Sequence, residues 1–275
     1  MPEEFSSVMR ASPAVIALAL AGLLAACAAE QPQYVERPVE QLYNEAVDLM
    51  AQNDLKGAAK AFDEVERQHP YSSWATKAQV MSAFSHYQAG EYDEAILAAE
   101  RFIELHPGNR DAPYAYYLKA LCYYEQISQV SRDQKMTVRA RSSLEDIARR
   151  FPESEYARDA RIKLDLVRDH LAGKEMEVGR YYLKRGNYMA AINRFRAVLD
   201  GFQTTSHAPE ALHRLAEAYT ALGLEEEARQ AAAVLGYNFP NSPWYVDSYQ
   251  TVQGVRADGG QPPPSPGILG RLWPF

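Results

Sequence analysis

Small apolar residues recur along the chain at a nearly constant interval, and this pattern predicts pairs of packed helices. The first series, spaced by 37 residues except at one interruption, is Ala46, Ala83, Ala120, Gly179 and Ala216. A second series marks the other helix of each pair: Ala58, Ala95, Ala140, Ala191 and Ala228. Small residues at a fixed spacing mark helices that cross closely, and a repeat of this length is typical of a helical solenoid.

A residue that stops a helix follows almost every second helix. Twelve residues after the second series come Pro70, Pro107, Pro152, Gln203 and Pro240. Because proline cannot continue a helix, each second helix is predicted to end just before it, and Gln203 leaves the end of the fourth unit open. The helices of the first two units are predicted at residues 40–52, 55–68, 78–89 and 93–105. Turns within units are predicted at Asn53-Asp54, Gly90, Gly186-Asn187 and Gly223.

The repeat is interrupted once, between Ala120 and Gly179, which lie 59 residues apart instead of 37. Eight of the 22 extra residues fall around a predicted polar loop at residues 128–134. The other 14 precede Gly179 and make about four helical turns, so the buried face keeps its register. We therefore predict one long helix over residues 155–185, about 45 Å long. It would join three helix pairs (39–154) to two (155–250), and Gly173 inside it marks a candidate kink.

The N-terminus carries a predicted export signal. Residues 12–26 are apolar and uncharged, shorter than the roughly 20 residues that span a bilayer, and they follow Arg10. Glu3 and Glu4 are unusual in such a signal, so Met9 would make a better start. The run ends in Leu24-Ala25-Ala26-Cys27, which resembles the lipobox of bacterial lipoproteins. The resemblance implies cleavage after residue 26 and lipidation of Cys27, and an ordinary secretory signal is the alternative.

The residue after Cys27 indicates the membrane to which the lipoprotein is sorted. Ala28 stands where an Asp would suggest retention in the inner membrane, which favours the periplasmic face of the outer membrane. Residues 27–38 are then a lipidated tether that holds the first helix off the membrane.

Composition and motifs argue against catalysis and nucleic-acid binding. The net charge is −7 with a pI of about 5.5, which disfavours general nucleic-acid binding. The chain contains no motif typical of a nucleophile, a phosphate loop or a metal site, and its six histidines are scattered. We therefore expect no enzyme activity, no cofactor and no metal. Cys122 lies among apolar residues and is predicted to be a core residue.

The repeat resembles the tetratricopeptide repeat family. Residues at its signature positions are Ala46, Gly90, Tyr92, Ala95, Pro107, Tyr182, Gly186, Ala191 and Phe195. The resemblance covers residues 39–250 and implies an all-α, right-handed superhelix of five helix pairs, with the first helix of each pair on the inner wall. Aromatic residues occupy wall positions of the first three pairs: Tyr43, Phe84, Tyr87, Tyr114, Tyr117 and Tyr124. They predict a groove for an extended peptide with an aromatic end, and packing between repeats is an equal alternative.

Anchor and repeats together resemble the lipoprotein subunits of the outer-membrane β-barrel assembly machinery. Further agreement lies in Arg132-Asp133, in FPESEY at residues 151–156, in VGRYYLKRG at 178–186 and in Asn193-Arg194. His69 stands where the family often carries an aromatic residue. The resemblance implies that the N-terminal half receives the C-terminal signal of unfolded outer-membrane proteins. The C-terminal half would dock on the periplasmic domains of the barrel-forming subunit, with other assembly lipoproteins as further partners.

The same resemblance implies particular contact residues. Arg185 and Arg194 are expected to make charged contacts with partners, braced by Tyr181 and Tyr182, and Arg132 and Asp133 are expected to contribute from the inserted loop. Basic residues also outnumber acidic ones around the interruption; they form a solvated face or meet acidic partners.

Two other interpretations remain. A periplasmic repeat lipoprotein that binds peptidoglycan or coordinates cell division would more often carry a coiled-coil segment, which is missing here. An envelope enzyme that uses the repeats as a regulatory arm is disfavoured, because the repeats occupy nearly all of the mature chain. Residues 251–275 are rich in Gly and Pro and predict a disordered tail. Its apolar residues are a candidate docking motif: Ile268, Leu269, Leu272, Trp273 and Phe275.

Overall fold

The structure is a computed structural model that describes residues 36–253, and these residues form eleven helices and no strand. The helices are α1 (Val39–Ala51), α2 (Leu55–Gln68), α3 (Ser73–Gln88), α4 (Tyr92–Leu105), α5 (Ala112–Glu125), α6 (Lys135–Arg150), α7 (Glu155–Lys184), α8 (Tyr188–Gly201), α9 (Ala208–Ala221), α10 (Glu225–Asn238) and α11 (Pro243–Gln253). The predicted signal peptide, Cys27 and the tail from residue 254 lie outside the described residues. None of the described helices combines the length and the apolarity that a membrane crossing requires.

Each helix packs against the next one along the chain, and the first helix of each pair also contacts the first helix of the neighbouring pair. This arrangement confirms the all-α, tetratricopeptide-like prediction. The small residues of both series lie at the crossings, where all ten are buried. Residues four positions further on fill the same spaces: Phe62, Ala99, Leu144, Phe195 and Ala232. The division into three pairs and two pairs remains a prediction.

The second helices end in one shared geometry. They stop two residues before each predicted stop position, at Gln68, Leu105, Arg150, Gly201 and Asn238. Each following residue has a φ between −139° and −130°, and its N–H donates to the carbonyl four residues earlier. The fourth unit ends in the same way although Gln203 replaces proline, because the cap needs only this backbone conformation.

The predicted turns are confirmed by their backbone angles. Gly90, Gly186 and Gly223 have φ values of 74°, 72° and 72°. Asn53 takes the same left-handed conformation at 62°, which asparagine tolerates better than most residues. These residues let the chain reverse within two or three positions.

Two predicted boundaries were wrong. Helix α3 begins at Ser73 rather than at residue 78, because the Ser72 hydroxyl caps it by accepting from the Ala75 N–H at 3.0 Å. At the other end, α11 continues to Gln253 and packs on α9 and α10, where a tail was expected from residue 251. The eleventh helix covers the last pair, whose outer face would otherwise meet solvent.

The long helix is confirmed within one residue. α7 begins after Ser154, whose hydroxyl accepts from the Ala157 N–H, and continues without interruption through Gly173. Gly173 is buried, and a Cβ added there would lie 3.1 Å from His207 Nε2 and 3.7 Å from Val130 Cγ1. Its small size therefore serves a close approach of neighbouring segments.

The single described cysteine is inert. Cys122 is fully buried, and desolvation raises the pKa of its thiol to about 12. It therefore stays protonated as a small core residue, as predicted.

The C-terminal helix is held by a buried polar contact. His213 of α9 lies 2.8 Å from the Ser248 hydroxyl of α11 and stacks on the Trp244 ring at 5.2 Å. Burial lowers the pKa of His213, and the nearby Arg214 lowers it further against the opposing effect of nearby acids. The imidazole is therefore neutral where α11 is docked.

We expect substitution of Gly179 by Ala to destabilise the protein. An added Cβ would lie 2.8 Å from Phe195 Cδ1, and closer still to Cε1, in a fully buried contact. Overpacking of this kind costs about 1–3 kcal/mol, to be measured by urea unfolding. Gly201→Ala is the control, since nothing lies within 4 Å of its Cβ position. Equal stabilities of the two variants would show that the α7–α8 crossing tolerates a methyl group.

We expect the stability of the fold to depend on the protonation of His213. Its folded pKa lies below the ordinary value of 6.5, so the unfolded chain takes up a proton first as the pH falls. The neutral imidazole of His213 makes its full contribution to the free energy of unfolding above pH 6.5. This contribution is lost as the pH falls through the folded pKa. Urea unfolding over a pH series should show that the free energy of unfolding falls less with decreasing pH for His213→Gln than for the unaltered protein. Identical slopes would contradict this assignment.

Candidate functional site

Four aromatic side chains on three successive first helices form a connected row. Phe84 of α3 lies 6.5 Å from Tyr114 of α5, measured between ring centroids. Tyr156 of α7 lies 5.5 Å from Tyr114 and 5.4 Å from Tyr117. All four rings are half-buried, so each keeps an edge or face open to solvent. We call these four residues the aromatic row.

A series of polar contacts joins Tyr117 of the aromatic row to Asp159 and Lys163 of α7. Tyr117 Oη donates to Asp159 Oδ2, and Lys163 Nζ lies 2.8 Å from the same oxygen. Desolvation disfavours the charge on Asp159, but the hydrogen bonds from Lys163 and Tyr117 outweigh it and lower its pKa. Lys163 also lies 5.6 Å from the ring centroid of Tyr124. The predicted groove residue Tyr124 is thus linked to the row through two charged side chains.

The hydroxyl groups of the row remain protonated. Burial raises the pKa of Tyr114 to about 12. Burial and the hydrogen bond to Asp159 also raise the pKa of Tyr117. Neutral tyrosines that keep an O–H offer hydrogen bonds to a carbonyl or carboxylate beside an apolar ring.

The other two predicted groove residues have different surroundings. Tyr87 packs with Phe84 and Tyr114 around the buried Leu118, so it borders the row. Tyr43 lies apart, 5.3 Å from Phe62 and 4.9 Å from Trp74 between ring centroids. Tyr43 therefore packs between α2 of the first pair and α3 of the second pair.

Sequence reasoning missed Tyr156 and Trp74 as neighbours of the predicted aromatics. Tyr156 lies in the first turn of α7, before the repeat position used to align the units. Trp74 belongs to the first turn of α3, which the predicted boundary excluded. Extending α3 back to its serine cap would have included Trp74, whereas the predicted helix over residues 155–185 already contained Tyr156.

A second aromatic cluster lies at the end of α7. The Arg185 guanidinium lies 4.8 Å from the centroid of the Tyr181 ring, and the rings of Tyr181 and Tyr182 meet edge to face at 5.7 Å. Tyr181 is 52% exposed, whereas Tyr182 packs against the core of the fourth pair. The surface thus presents a cation above an aromatic ring.

Arg194 occupies a separate position on α8. Its Nη1 lies 3.1 Å from Glu175 Oε2 of α7, and the side chain is 46% exposed. Among the contacts of residues 36–253, none joins Arg194 to Arg185. The structure therefore places the two arginines on one helical hairpin without bringing them together.

The inserted loop is ordered by one glutamine. Gln134 Nε2 donates to the carbonyls of Gln129, Val130 and Arg132 at 3.3, 3.2 and 3.0 Å. Lys174 of α7 donates to the carbonyl of Ser131 at 3.0 Å. The side chains of Arg132 and Asp133 are left exposed on this loop. Their backbone positions are thus fixed while their charges face solvent.

Several basic residues around the interruption lie on aromatic rings. Arg139 and Arg150 lie 5.7 and 5.4 Å from the centroids of Tyr123 and Tyr116. Within residues 36–253, no group of three His, Cys, Asp or Glu side chains is arranged to hold a metal ion.

A family model described as outer membrane lipoprotein, YfiO, matches residues 35–235 of the chain. The chain belongs to the YfiO family. The match begins before the first helix and includes both the aromatic row and the α7–α8 hairpin.

Two relatives in this family are named outer membrane protein assembly factor BamD. The chain is 52% identical over 245 residues to the one from Caulobacter vibrioides, covering 88% of this chain and 80% of the relative. It is 49% identical over 219 residues to the one from Rickettsia prowazekii, covering 80% and 87%. A solved tetratricopeptide-repeat protein of Thermus thermophilus also matches, with 19% identity, a TM-score of 0.36 and coverage of 78% of this chain and 100% of that one. The alignments to both YfiO-family relatives thus span most of each protein.

Proposed function

We propose that the chain is an outer membrane protein assembly factor that acts as a non-enzymatic scaffold. The observation that carries this proposal is the 52% identity to the Caulobacter assembly factor over 245 residues. The tetratricopeptide-like fold supports it, because such arrays present long surfaces to polypeptide partners. Aromatic and cationic clusters on separate helices of the array offer more than one contact surface.

The scaffold is held at the periplasmic face of the outer membrane by lipid on Cys27. The lipobox supports this anchor, as does the description of the family as outer membrane lipoproteins. Each buried methylene of an acyl chain contributes about 0.8 kcal/mol, so several chains together give stable anchoring.

The aromatic row receives the aromatic C-terminal segment of unfolded outer-membrane proteins. Its half-buried rings offer apolar area at a low entropy cost, because neighbouring rings already restrain them. The Tyr114 hydroxyl is a neutral donor suited to a terminal carboxylate or a main-chain carbonyl. A ring from the client would extend the tilted ring contacts already present in the row.

We expect Tyr156→Ala to weaken binding of such a segment. The probe is a labelled peptide of about ten residues, the length of a membrane-spanning β-strand, with alternating polar and apolar residues and a C-terminal Phe. Because the change removes the ring that joins Tyr114 to Tyr117, fluorescence anisotropy should show a loss of about tenfold in affinity. The control is Tyr71→Ala, since Tyr71 is fully exposed on the turn after Pro70. Equal affinities of both variants would remove the row from the proposed site.

The α7–α8 hairpin docks on the periplasmic domains of the barrel-forming subunit, and other assembly lipoproteins join the same complex. Arg185 and Tyr181 present a stacked cation and ring, a combination common in interface contacts. Arg194 is half-exposed, and its partner Glu175 is on the same chain, so a partner carboxylate can compete for it. Arg132 and Asp133 offer further charges from an ordered loop.

We expect Arg194→Glu to reduce recovery of the barrel-forming subunit when the protein is pulled down from solubilised membranes. Reversing a charge at an interface places like charges together and lowers affinity. Arg196→Glu is the matched control, because Arg196 is an exposed arginine on the same helix two positions away.

The double variant Arg194→Glu with Glu175→Arg separates two roles of the arginine. If Arg194 only pairs with Glu175, the exchange restores recovery; if it contacts the partner, recovery stays low. Full recovery with Arg194→Glu alone would contradict the assigned contact. If no barrel-forming subunit is recovered with the unaltered protein, the proposed function itself fails.

A further inference from the structure

A groove runs along the middle of the long helix, where the repeat is interrupted. It consists of two adjoining cavities of about 560 and 390 Å³ that share Leu166 and His170. The inserted loop and Tyr124 border one side, and His207, at the start of α9, borders the other. We call this the long-helix groove. Its combined size is that of a ligand site and exceeds a gap between packed side chains.

One stripe of α7 forms the floor of this groove at Leu166, His170, Gly173 and Glu177 and continues beyond it at both ends. Its members follow each other at intervals of four, four, three, four and four residues: Ile162, Leu166, His170, Gly173, Glu177 and Tyr181. Residues at these intervals lie on the same side of a helix. The stripe is about 28 Å long at 1.5 Å per residue, which corresponds to about eight residues of extended chain.

The first part of the stripe is apolar and open. Ile162 is 64% exposed and Leu166 is 56% exposed, although both lie on a helix packed between neighbours. Two large aliphatic side chains one turn apart favour a ligand that brings apolar side chains to this end. The charged end of Lys163 is turned toward Asp159 and Tyr124 and leaves this surface apolar.

The second part contains polar atoms without partners. His170 Nε2 and Glu177 Oε2 are buried, and no hydrogen bond satisfies either of them. Leaving such groups unpaired is unfavourable, because each has lost its hydrogen bonds to water without a replacement. Both side chains line the larger cavity. A polypeptide main chain suits this pair, because its N–H can donate to the carboxylate and a peptide group can pair with the imidazole.

Arg180 and Asp169, two charged residues that line the groove, are already paired within the protein. Arg180 donates to both oxygens of Glu210 at 2.9 Å. Asp169 accepts from the backbone and hydroxyl of Ser206 at 2.9 and 2.7 Å. A phosphate or another highly charged ligand would therefore have to break these pairs. This balance favours an uncharged ligand such as a main chain with apolar side chains.

The groove is continuous with the aromatic row. Tyr124 lines the smaller cavity, and Lys163 and Asp159 connect it to Tyr117. A chain whose aromatic end lies on the row can thus continue along α7 without crossing another helix.

We propose that the long-helix groove binds the extended segment that precedes the aromatic end of an unfolded outer-membrane protein. This inference rests on the proposed function. Membrane-spanning β-strands alternate apolar and polar residues over about ten positions. In such a segment, the apolar side chains contact Ile162 and Leu166, and the main chain pairs with His170 and Glu177.

The test compares two labelled peptides on the full chain by fluorescence anisotropy. The short peptide is the aromatic-ended probe described above, and the long peptide adds about eight upstream residues of alternating polarity, enough to fill the groove. The long peptide should bind about tenfold more tightly, since it buries additional apolar side chains.

Two substitutions should remove this gain and leave the affinity of the short peptide unchanged. Leu166→Glu places a charge on the apolar end, and its matched control is Leu97→Glu, because Leu97 is a comparably exposed leucine on α4. Glu177→Gln keeps the shape of the side chain and removes its charge. Thermal unfolding confirms that each variant is folded.

Three outcomes would overturn the inference. If both peptides bind equally, or if the gain survives both groove substitutions, the groove does not hold the client, while the proposed function still stands. If neither peptide binds the unaltered protein, the client-binding part of the proposed function fails together with the groove. If the groove variants instead reduce only the recovery of another assembly lipoprotein, the occupant is that partner.

Discussion

The close crossing of two helices at a small residue is the contact on which the rest of this structure depends. Ten alanine or glycine positions, two in each pair, are buried and let the backbones approach. At the fourth pair the small residue is a glycine, and the Phe195 ring occupies the space where a side chain at residue 179 would begin. Each pair has a small residue on both of its helices. First helices then follow one another, and their exposed side chains form continuous surfaces.

The insertion that interrupts the repeat leaves the close helix crossing at Gly179 intact. Fourteen added residues lengthen α7 by about four turns, so its two halves present the same buried face to different neighbours. The middle of the helix lies between the inserted loop and the start of α9, where neither covers it fully. Gly173 lets His207 and Val130 approach there, while Leu166 remains exposed. The added turns thus leave exposed a length of α7 that the neighbouring helices of a regular repeat would have covered.

Most of the fold could be predicted from the chain, and less of the candidate site. The helix pairs, the turn residues and the long helix follow from local spacing, and their predicted positions agree with the structure within a few residues. The start of α3 was missed because the alignment relied on the alanine series and ignored the serine cap, and α11 was missed because it follows the last repeat. The site was predicted as six aromatic residues on first helices. In the structure Tyr43 lies apart from the row, against Phe62 and Trp74, and Tyr156 completes the row.

The sequence by itself determined the helices, their pairing and the phase that the insertion preserves. These features depend on residues a few positions apart or one repeat apart, where spacing translates directly into a shared helix face. Only the tertiary structure decided which side chains meet across helices. Tyr117 and Asp159 lie 42 positions apart, and Arg180 and Glu210 lie 30 apart. Such contacts depend on the angle and offset at which helices pack, which no spacing along the chain specifies. The long-helix groove therefore depends on how α5, α7 and α9 pack together, and the sequence pattern did not predict it.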